Sequence, residues 1–311
     1  MADDALTHHD EREHAKQTAD PESAPTPTAI QRIRTMTVPF QKYHGTGNDF
    51  LIIHAAEYVP DRAALAKREC DRDTGVGADG ILYLALEEQF NPPRVVMTLV
   101  QPDGSTAPMC GNGARCAAEW AMQRTDTDSV MIDTQAGTLR ADRTPDGITV
   151  EMGTPTFAPE DIPIDADDPV LEESIEGLEV SVVNTGVPHA VAFVDDVDDV
   201  DLESVAPPVR HADVFPKGTN VTIASPDGEG HFRQRTFERG VEGETDSCGT
   251  GAVAIAVIAR RLGRTDADPV AVSPPGGELK VSFNDRGRAT LAGPVEHEFD
   301  GEVALESPAE Q

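Results

Sequence analysis

Two of the four cysteines in this chain stand in matching contexts. Met109-Cys110-Gly111-Asn112-Gly113-Ala114 and Ser247-Cys248-Gly249-Thr250-Gly251-Ala252 each place a cysteine before Gly-X-Gly-Ala and an alanine-rich apolar run. No residue from Ala252 to Ile258 is polar, which is the composition of a helix buried on every side. Each cysteine is therefore expected just before, or at, the start of a helix. First-turn N–H groups have no partner inside the helix and can bind an anion, and glycine lets the backbone come close to it. The same environment favours thiolate over thiol. One such cysteine would read as a nucleophile, whereas two equivalent ones read as a symmetric device. A thiolate takes a proton from one face of a carbon and a thiol opposite returns one to the other face, inverting configuration without a cofactor. Both thiols must then work near neutral pH, and lowering a cysteine by about one to two units from about 8.5 brings the thiolate population near half. Two helix starts would also hold a substrate α-carboxylate as charge develops on it. Two buried structural cysteines are the plainer reading, but packing does not call for Gly-X-Gly twice.

Other polar residues stand where they could face these sulfurs. Asn48 ends the Gly-rich turn Gly45-Thr46-Gly47, either presenting its amide to a substrate or taking a left-handed turn conformation. That turn lacks the Gly-Lys-Ser/Thr ending of a phosphate loop. Gln101 precedes the turn Pro102-Asp103-Gly104-Ser105 and could point an amide at the site. His189, after Pro188 and before an apolar strand, could tune a cysteine or serve packing alone. Glu238 and Arg239 precede Cys248 by one short segment; Arg could hold a carboxylate and Glu an ammonium, or the two could form a surface ion pair. His44 and Cys116 read as structural. The spacing Cys110-x5-Cys116 fits no zinc knuckle, and no metal site is expected.

The elements that must position these residues are legible as alternation and turn chemistry. Strands are expected at 38–43, 50–53, 80–86, 94–100, 129–134, 137–142 and 147–152. Asp61 should cap a helix running through Arg72, and the helix after Cys110 should reach about Arg124. Residues 153–177, rich in Pro and acidic residues, read as a linker. Strands near 178–184, 189–194, 220–224, 231–237, 270–273, 278–283, 288–293 and 302–305 then repeat the first series around the second cysteine helix. Each half is thus strands, a Gly-rich turn, a cysteine, a helix and more strands. This predicts an α/β fold of two similar domains facing each other, with antiparallel connections through short turns.

Composition bounds the setting. The chain of 311 residues suits about two domains. Residues 1–35 are polar, with almost no apolar periodicity, and are expected to be a disordered acidic tail; Met36 could be the true start. The halves are then 36–153 and 154–305, the last strands being free to return to the first. No apolar run is long enough to span a membrane, no secretory signal is visible and the few cysteines form no disulfide framework, so a cytoplasmic protein is expected. A formal net charge of −31 disfavours nucleic acid and anionic membranes as partners. The acidity is spread along the chain and the cations are mostly arginine, a balance suited to a high-salt cytoplasm.

With these residues in view, the chain resembles the diaminopimelate epimerase family. The likeness is carried by Gly45-Thr46-Gly47-Asn48-Asp49-Phe50, Gly75-Val76-Gly77-Ala78-Asp79-Gly80, Asp103-Gly104-Ser105, both cysteine motifs, Pro188-His189, Thr219-Asn220-Val221 and Glu238-Arg239-Gly240, over about 36–305. It implies a cofactor-independent isomerase of lysine biosynthesis that interconverts LL- and meso-diaminopimelate. It further implies two pseudo-symmetric domains, each a mostly antiparallel sheet or barrel wrapped around a central helix, with the active site in the cleft between them. By that resemblance Cys110 is the proton donor and Cys248 the acceptor, with His189 and Glu238 influencing the thiols. Gly111, Asn112, Gly249 and Thr250 would hold the reacting end of the substrate. Asn48, Gln101, Asn220, Glu238 and Arg239 would bind elsewhere on it. A small-molecule substrate is the expected partner, and a homodimer is compatible with this reading.

The chain departs from the family in two places. Gln101-Pro102 stands where the family usually has Asn-Ala, and Val187, where many members have Asn, cannot donate a side-chain hydrogen bond. A proline or hydroxyproline racemase shares the implied fold and two-thiol chemistry, but members typically carry His at the position of Asn112. A small-molecule binding protein would be expected to have lost a cysteine. A cysteine hydrolase lacks its Cys/His/Asn set here.

Overall fold

The computed structural model describes residues 36–305, so the tail expected over 1–35 lies outside the described residues. In the first half β1 (Thr37–Gly45) and β2 (Asn48–His54) form a hairpin, and α1 (Arg62–Glu69) leads to β3 (Ile81–Glu87) and β4 (Arg94–Val100). The short β5 (Thr106–Ala107) precedes α2 (Gly111–Thr125), and β6 (Ser129–Thr134), β7 (Gly137–Thr144) and β8 (Gly147–Gly153) follow. The second half opens with β9 (Glu173–Ile175) and continues through β10 (Leu178–Asn184), β11 (Pro188–Phe193), α3 (Leu202–Arg210), β12 (Asn220–Pro226) and β13 (His231–Glu238). Then come β14 (Gly243–Thr245), α4 (Gly249–Arg261), β15 (Val270–Ser273), β16 (Leu279–Phe283), β17 (Ala289–Gly293) and β18 (Glu296–Ala304).

Strand pairing makes one continuous path. It runs β18–β1–β2–β3–β4–β6–β7–β8 through the first half and β17–β16–β15–β13–β12–β11–β10–β9 through the second. The antiparallel pair β8–β17 joins them. The halves repeat each other in detail. In each, two strand pairs are parallel: β2–β3 and β11–β12, crossed by α1 and α3, and β4–β6 and β13–β15, crossed by α2 and α4. The other pairs are antiparallel, most of them neighbours in sequence joined by short turns, with β1–β18 and β8–β17 as the long-range exceptions.

Sequence dictates which helices lie inside. α2 and α4 carry Ala, Ile, Val, Met and Trp with few charges, and most of their residues are buried. They share one core in which Phe50, Leu82, Ile132 and Val150 of the first half meet Ile255, Ile258, Val272 and Leu291 of the second. Smaller cores lie under α1 and α3. The basic residues Arg260 and Arg261 close α4, where their charge complements the negative end of the helix dipole.

Several boundaries differ from expectation. α1 stops at Glu69, short of Arg72, although Asp61 does cap it by accepting from Ala64 N–H at 2.9 Å. Asp71 ends it: its carboxylate accepts from the Asp73 and Thr74 amides and from the Thr74 hydroxyl, folding a turn. α3 was not anticipated; Pro207 and Pro208 stand inside it, and the buried stripe Leu202, Ala206 and Val209 holds it nonetheless. The stretch 153–177 is more than a strap, since Ile162 and Val170 enter the core under α3 and β9 pairs with β10. β18 begins at Glu296, well before the expected 302, along a run that is almost wholly exposed and so shows no hydrophobic period.

Candidate active site

Both cysteines are the capping residues of the inner helices. Cys110, with extended backbone (φ −144°), precedes α2, and its Sγ accepts from the Gly113 N–H at 3.5 Å. Cys248 (φ −121°) stands in the same position before α4. The first helical bonds run from Ala114 N to Cys110 O at 2.8 Å and from Ala252 N to Cys248 O at 3.0 Å. The amides of Gly111, Asn112, Gly249 and Thr250 therefore lie ahead of the helical ladder. The two helix starts meet. A Cβ on Gly249 would lie 3.4 Å from Asn112 Oδ1, 3.7 Å from Gly111 Cα and only 2.7 Å from Leu291 Cδ2. The two helix starts are thus in van der Waals reach of each other, and Leu291 packs directly against Gly249.

A buried polar seam fixes this approach. Asn112 Nδ2 donates to the carbonyl and hydroxyl oxygens of Ser247, both at 3.1 Å. The Ser247 hydroxyl lies 2.9 Å from Thr46 Oγ1, which accepts from the fully buried Arg115 at 3.0 Å. Thr46 sits in the β1–β2 turn with φ +53°, followed by Gly47 at φ +80°, a two-residue hairpin turn with both residues left-handed. The left-handed residues are thus Thr46 and Gly47, whereas Asn48 is already in β2. Its Oδ1 accepts from Asn112 Nδ2 at 3.3 Å and faces Cys110 Sγ at 3.7 Å. Its Nδ2 donates to Asp79 at 2.5 Å.

Around Cys248 the partners come from β11 and β13. His189 is fully buried; its Nε2 lies 2.9 Å from Thr250 Oγ1, which lies 3.5 Å from Cys248 Sγ. The imidazole reaches the sulfur through Thr250, not directly. Glu238 accepts from Thr245 Oγ1 at 2.6 Å, and its carboxylate stands close enough to Cys248 to bear on that thiol electrostatically. Asn220 uses its amide on the Pro188 carbonyl (3.0 Å) and the Arg239 N–H (2.8 Å). The Arg239 guanidinium donates to the carbonyls of Lys217 and Gly218, both at 3.3 Å.

The thiols do not have the electrostatics expected of a helix start alone. Burial pushes Cys110 up to about 11, against the Gly113 and Asn112 amides and the Arg115 charge, which favour the thiolate. Cys248 is likewise held well above its ordinary value, by burial first and then by the Glu238 carboxylate. Desolvation outweighs the helix amides, and both sulfurs rest as thiols. Burial also pushes His189 down to about 3, helped by the Arg239 charge, so its ring is neutral. The Glu238 carboxyl is raised, again chiefly by burial.

A cavity of about 590 Å³ opens over both cysteines. Asn48, Gln101, Gly111, Asn112, Asn220, Glu238, Arg239, Gly249 and Thr250 all line it, and His189 stands behind Thr250. Gln101 is at its rim, where its Oε1 accepts from the Ser105 hydroxyl at 3.1 Å. Val187 contributes an apolar wall. Sequence reasoning missed Asp79 and Arg72, which also line the cavity. Arg72 bridges Asp79 (2.7 Å) and Asp49 (2.9 Å), and Asp79 orients Asn48. The second Gly-rich loop, Gly75–Gly80, was the signal available for them.

The profile of the family described as diaminopimelate epimerase matches residues 40–158 and 181–298. A protein named diaminopimelate epimerase from Methanocella arvoryzae is 44% identical over 88% of this chain and 99% of its own. One of the same name from Archaeoglobus fulgidus is 38% identical over 87% of this chain and 98% of its own. Among solved structures, a hydroxyproline epimerase from Agrobacterium vitis with bound trans-4-hydroxy-L-proline superposes with a TM-score of 0.62 at 16% identity, over 88% of this chain and 94% of its own. A PhzF-family phenazine biosynthesis protein from Bacillus anthracis gives 0.62 at 18%, over 87% and 100%. At such identities these two show a shared fold.

Proposed function

The chain belongs to the diaminopimelate epimerase family, and from that membership we propose that it interconverts LL- and meso-2,6-diaminopimelate with Cys110 and Cys248 as the two acid–base groups. The observation that carries the reading is the pair of cysteines, each capping a helix, at one cavity where Gly111 meets Gly249. In the LL-to-meso direction the Cα–H bond breaks and its proton passes to the Cys248 sulfur. The electron pair left on Cα spreads into the α-carboxylate, whose charge the amides of Gly111, Asn112, Gly249 and Thr250 hold. The Cys110 thiol delivers its proton to the opposite face, leaving a thiolate there. Proton exchange with water restores the starting pair.

Because both free sulfurs rest as thiols, the base must form in the complex. A substrate α-ammonium brought beside the sulfurs supplies the opposite charge that favours a thiolate, and the Cys248 thiol proton leaves to solvent as the substrate settles. Glu238, Arg239, Asn48, Asn220 and Gln101 hold the rest of the substrate, and His189 acts on Cys248 through Thr250. The domain assignment that goes with this reading is 36–153 and 154–305, with β18 returned to the first half.

The test is α-proton exchange in D2O with reduced protein and LL-diaminopimelate, followed by NMR. Deuterated meso isomer should appear, with no exchange of L-proline. Cys110→Ala and Cys248→Ala should each lower turnover by about 10²- to 10⁴-fold. Exchange of proline alone, or near-normal turnover in either variant, would overturn the reading.

A further inference from the structure

Cys248 sits on a closed ring of buried polar groups. Gln234 and Thr236 project from β13, Thr222 from β12 and His189 from β11, and all four are buried. Gln234 Nε2 lies 3.0 Å from the Cys248 carbonyl oxygen and 3.0 Å from Thr236 Oγ1. Thr236 Oγ1 is 3.1 Å from Thr222 Oγ1, which is 3.1 Å from His189 Nδ1. His189 Nε2 and Thr250 Oγ1 complete the circuit to Cys248 Sγ, at 2.9 and 3.5 Å. Gly251 makes room for it, since a Cβ there would lie 2.5 Å from Gln234 Nε2.

The ring has one direction. A carbonyl oxygen only accepts, so the Gln234 atom facing Cys248 O is its NH2 group, and Thr236 Oγ1 accepts from the same nitrogen. Turning the amide over would set two oxygens 3.0 Å apart, so this orientation holds although Gln234 Oε1 has no partner. The Thr236 proton then goes to Thr222, and the Thr222 proton to His189 Nδ1. The ring proton of His189 is therefore on Nε2 and goes to Thr250 Oγ1, which leaves that hydroxyl's own proton free to point at Cys248 Sγ, 3.5 Å away. Reversing the Thr222–Thr236 bond leaves the Thr236 hydroxyl proton without an acceptor in the ring. At the other sulfur the nearest side-chain partner is Asn48 Oδ1, 3.7 Å from Cys110 Sγ, a pure acceptor that takes a thiol proton.

We propose that Gln234, Thr236 and Thr222 are positioning residues that hold His189 as its Nε2–H tautomer and turn the Thr250 hydroxyl into a donor to Cys248, biasing that sulfur toward the role of base. The proposal rests on the reading of Cys248 as an acid–base group. The charged and titratable groups that bear on this circuit are Glu238 from β13 and Cys110 from the start of α2, both near the sulfur, and Arg239, whose charge bears on His189.

Two measurements on the full chain test it, and neither needs turnover. Nitrogen-15 NMR of histidine-labelled protein, with His189 assigned by comparison with His189→Gln, should show one neutral Nε2–H tautomer at pH 6–8. An Nδ1–H ring would overturn the proposal without any further variant. Alkylation of Cys248 by iodoacetamide, followed by mass spectrometry across pH, should shift in Thr222→Val. Its midpoint should rise by about one pH unit, the tenfold loss of thiolate expected when a hydrogen bond supporting an ionised group is weakened. The Cys110 midpoint should stay in place, and Thr222→Ser should restore Cys248. A Thr222→Val protein with the wild-type tautomer and midpoint would overturn the proposal. The D2O exchange assay judges the epimerase reading separately, because a correct ring in a protein that exchanges no diaminopimelate fails only the latter.

Discussion

Burying a thiol sets both its reactivity and its part in stability. With Cys110 raised to about 11, alkylation of this residue in the substrate-free protein should be slow at pH 7–8 and accelerate only toward pH 11. Rapid labelling at pH 7 would contradict that. The structural cysteines carry the same signature: burial raises Cys70 and Cys116 each to about 12. An unfolded thiol ionises near 8.5, so the unfolded chain gives up protons that the folded chain keeps. The stability tied to these groups is fully present below about pH 8.5 and is lost as pH rises through 11–12. Denaturant titrations under reducing conditions should therefore show a midpoint falling from pH 8 to pH 10.5. Cys116→Ala should flatten that fall; an equal slope in the variant would refute the linkage. His189, pushed to about 3, gives no transition near pH 6.5, so an acid limb in turnover there would have to come from another group.

The elements that carry these residues are held together at one tight seam. The loop between β15 and β16 presses Gly276 onto the β1–β2 turn, where a Cβ would lie 2.0 Å from the Thr46 carbonyl oxygen and 3.1 Å from that of Asp246. Backbone cannot yield as a side-chain tip can, so Gly276→Ala should cost about 1–3 kcal/mol, read as a lowered denaturation midpoint. Gly249→Ala should act differently: its Cβ meets only the tip of Leu291, which can turn aside, so it should cost less stability than Gly276→Ala while adding a methyl at the cavity wall that lowers turnover. Equal stability losses in the two variants would show that Leu291 cannot turn aside. How much of this was legible in the sequence follows from the same contacts. The inner helices were legible because they are apolar on all sides, and most strands because one face is buried and the turns are short. α3 was hidden by Pro207 and Pro208, and β18 by Glu296, Glu298, Asp300 and Glu302, which face solvent and leave no period to read. The cavity residues that stand beside a motif were found. Asp79 and Arg72, in and just before the second Gly-rich loop, and Gln234, in β13, were not, because an acidic, a basic or an amide side chain there reads equally well as a solvated one until its partners Asn48, Asp49 and Cys248 are brought up by the fold.

Over the whole molecule, negative charge outweighs positive by 31, and the ion pairs on the surface are mostly made by arginine. Like charges at that density repel, and added salt screens them over about 10 Å at 0.1 M and about 3 Å at 1 M. Thermal stability should therefore rise with KCl; a melting temperature unchanged between low and molar salt would show that the acidity is distributed too evenly to matter. Net charge says nothing about how the chain assembles, but the pairing of β18 with β1 does. Gln41 on the first strand lies opposite Asp300 on the last. During synthesis the outer edge of β1 stays open until the second half has been made, an uncovered strand edge of the kind that invites pairing with other chains. Contacts so distant in sequence also form slowly. The half that leaves the ribosome first is the one completed last.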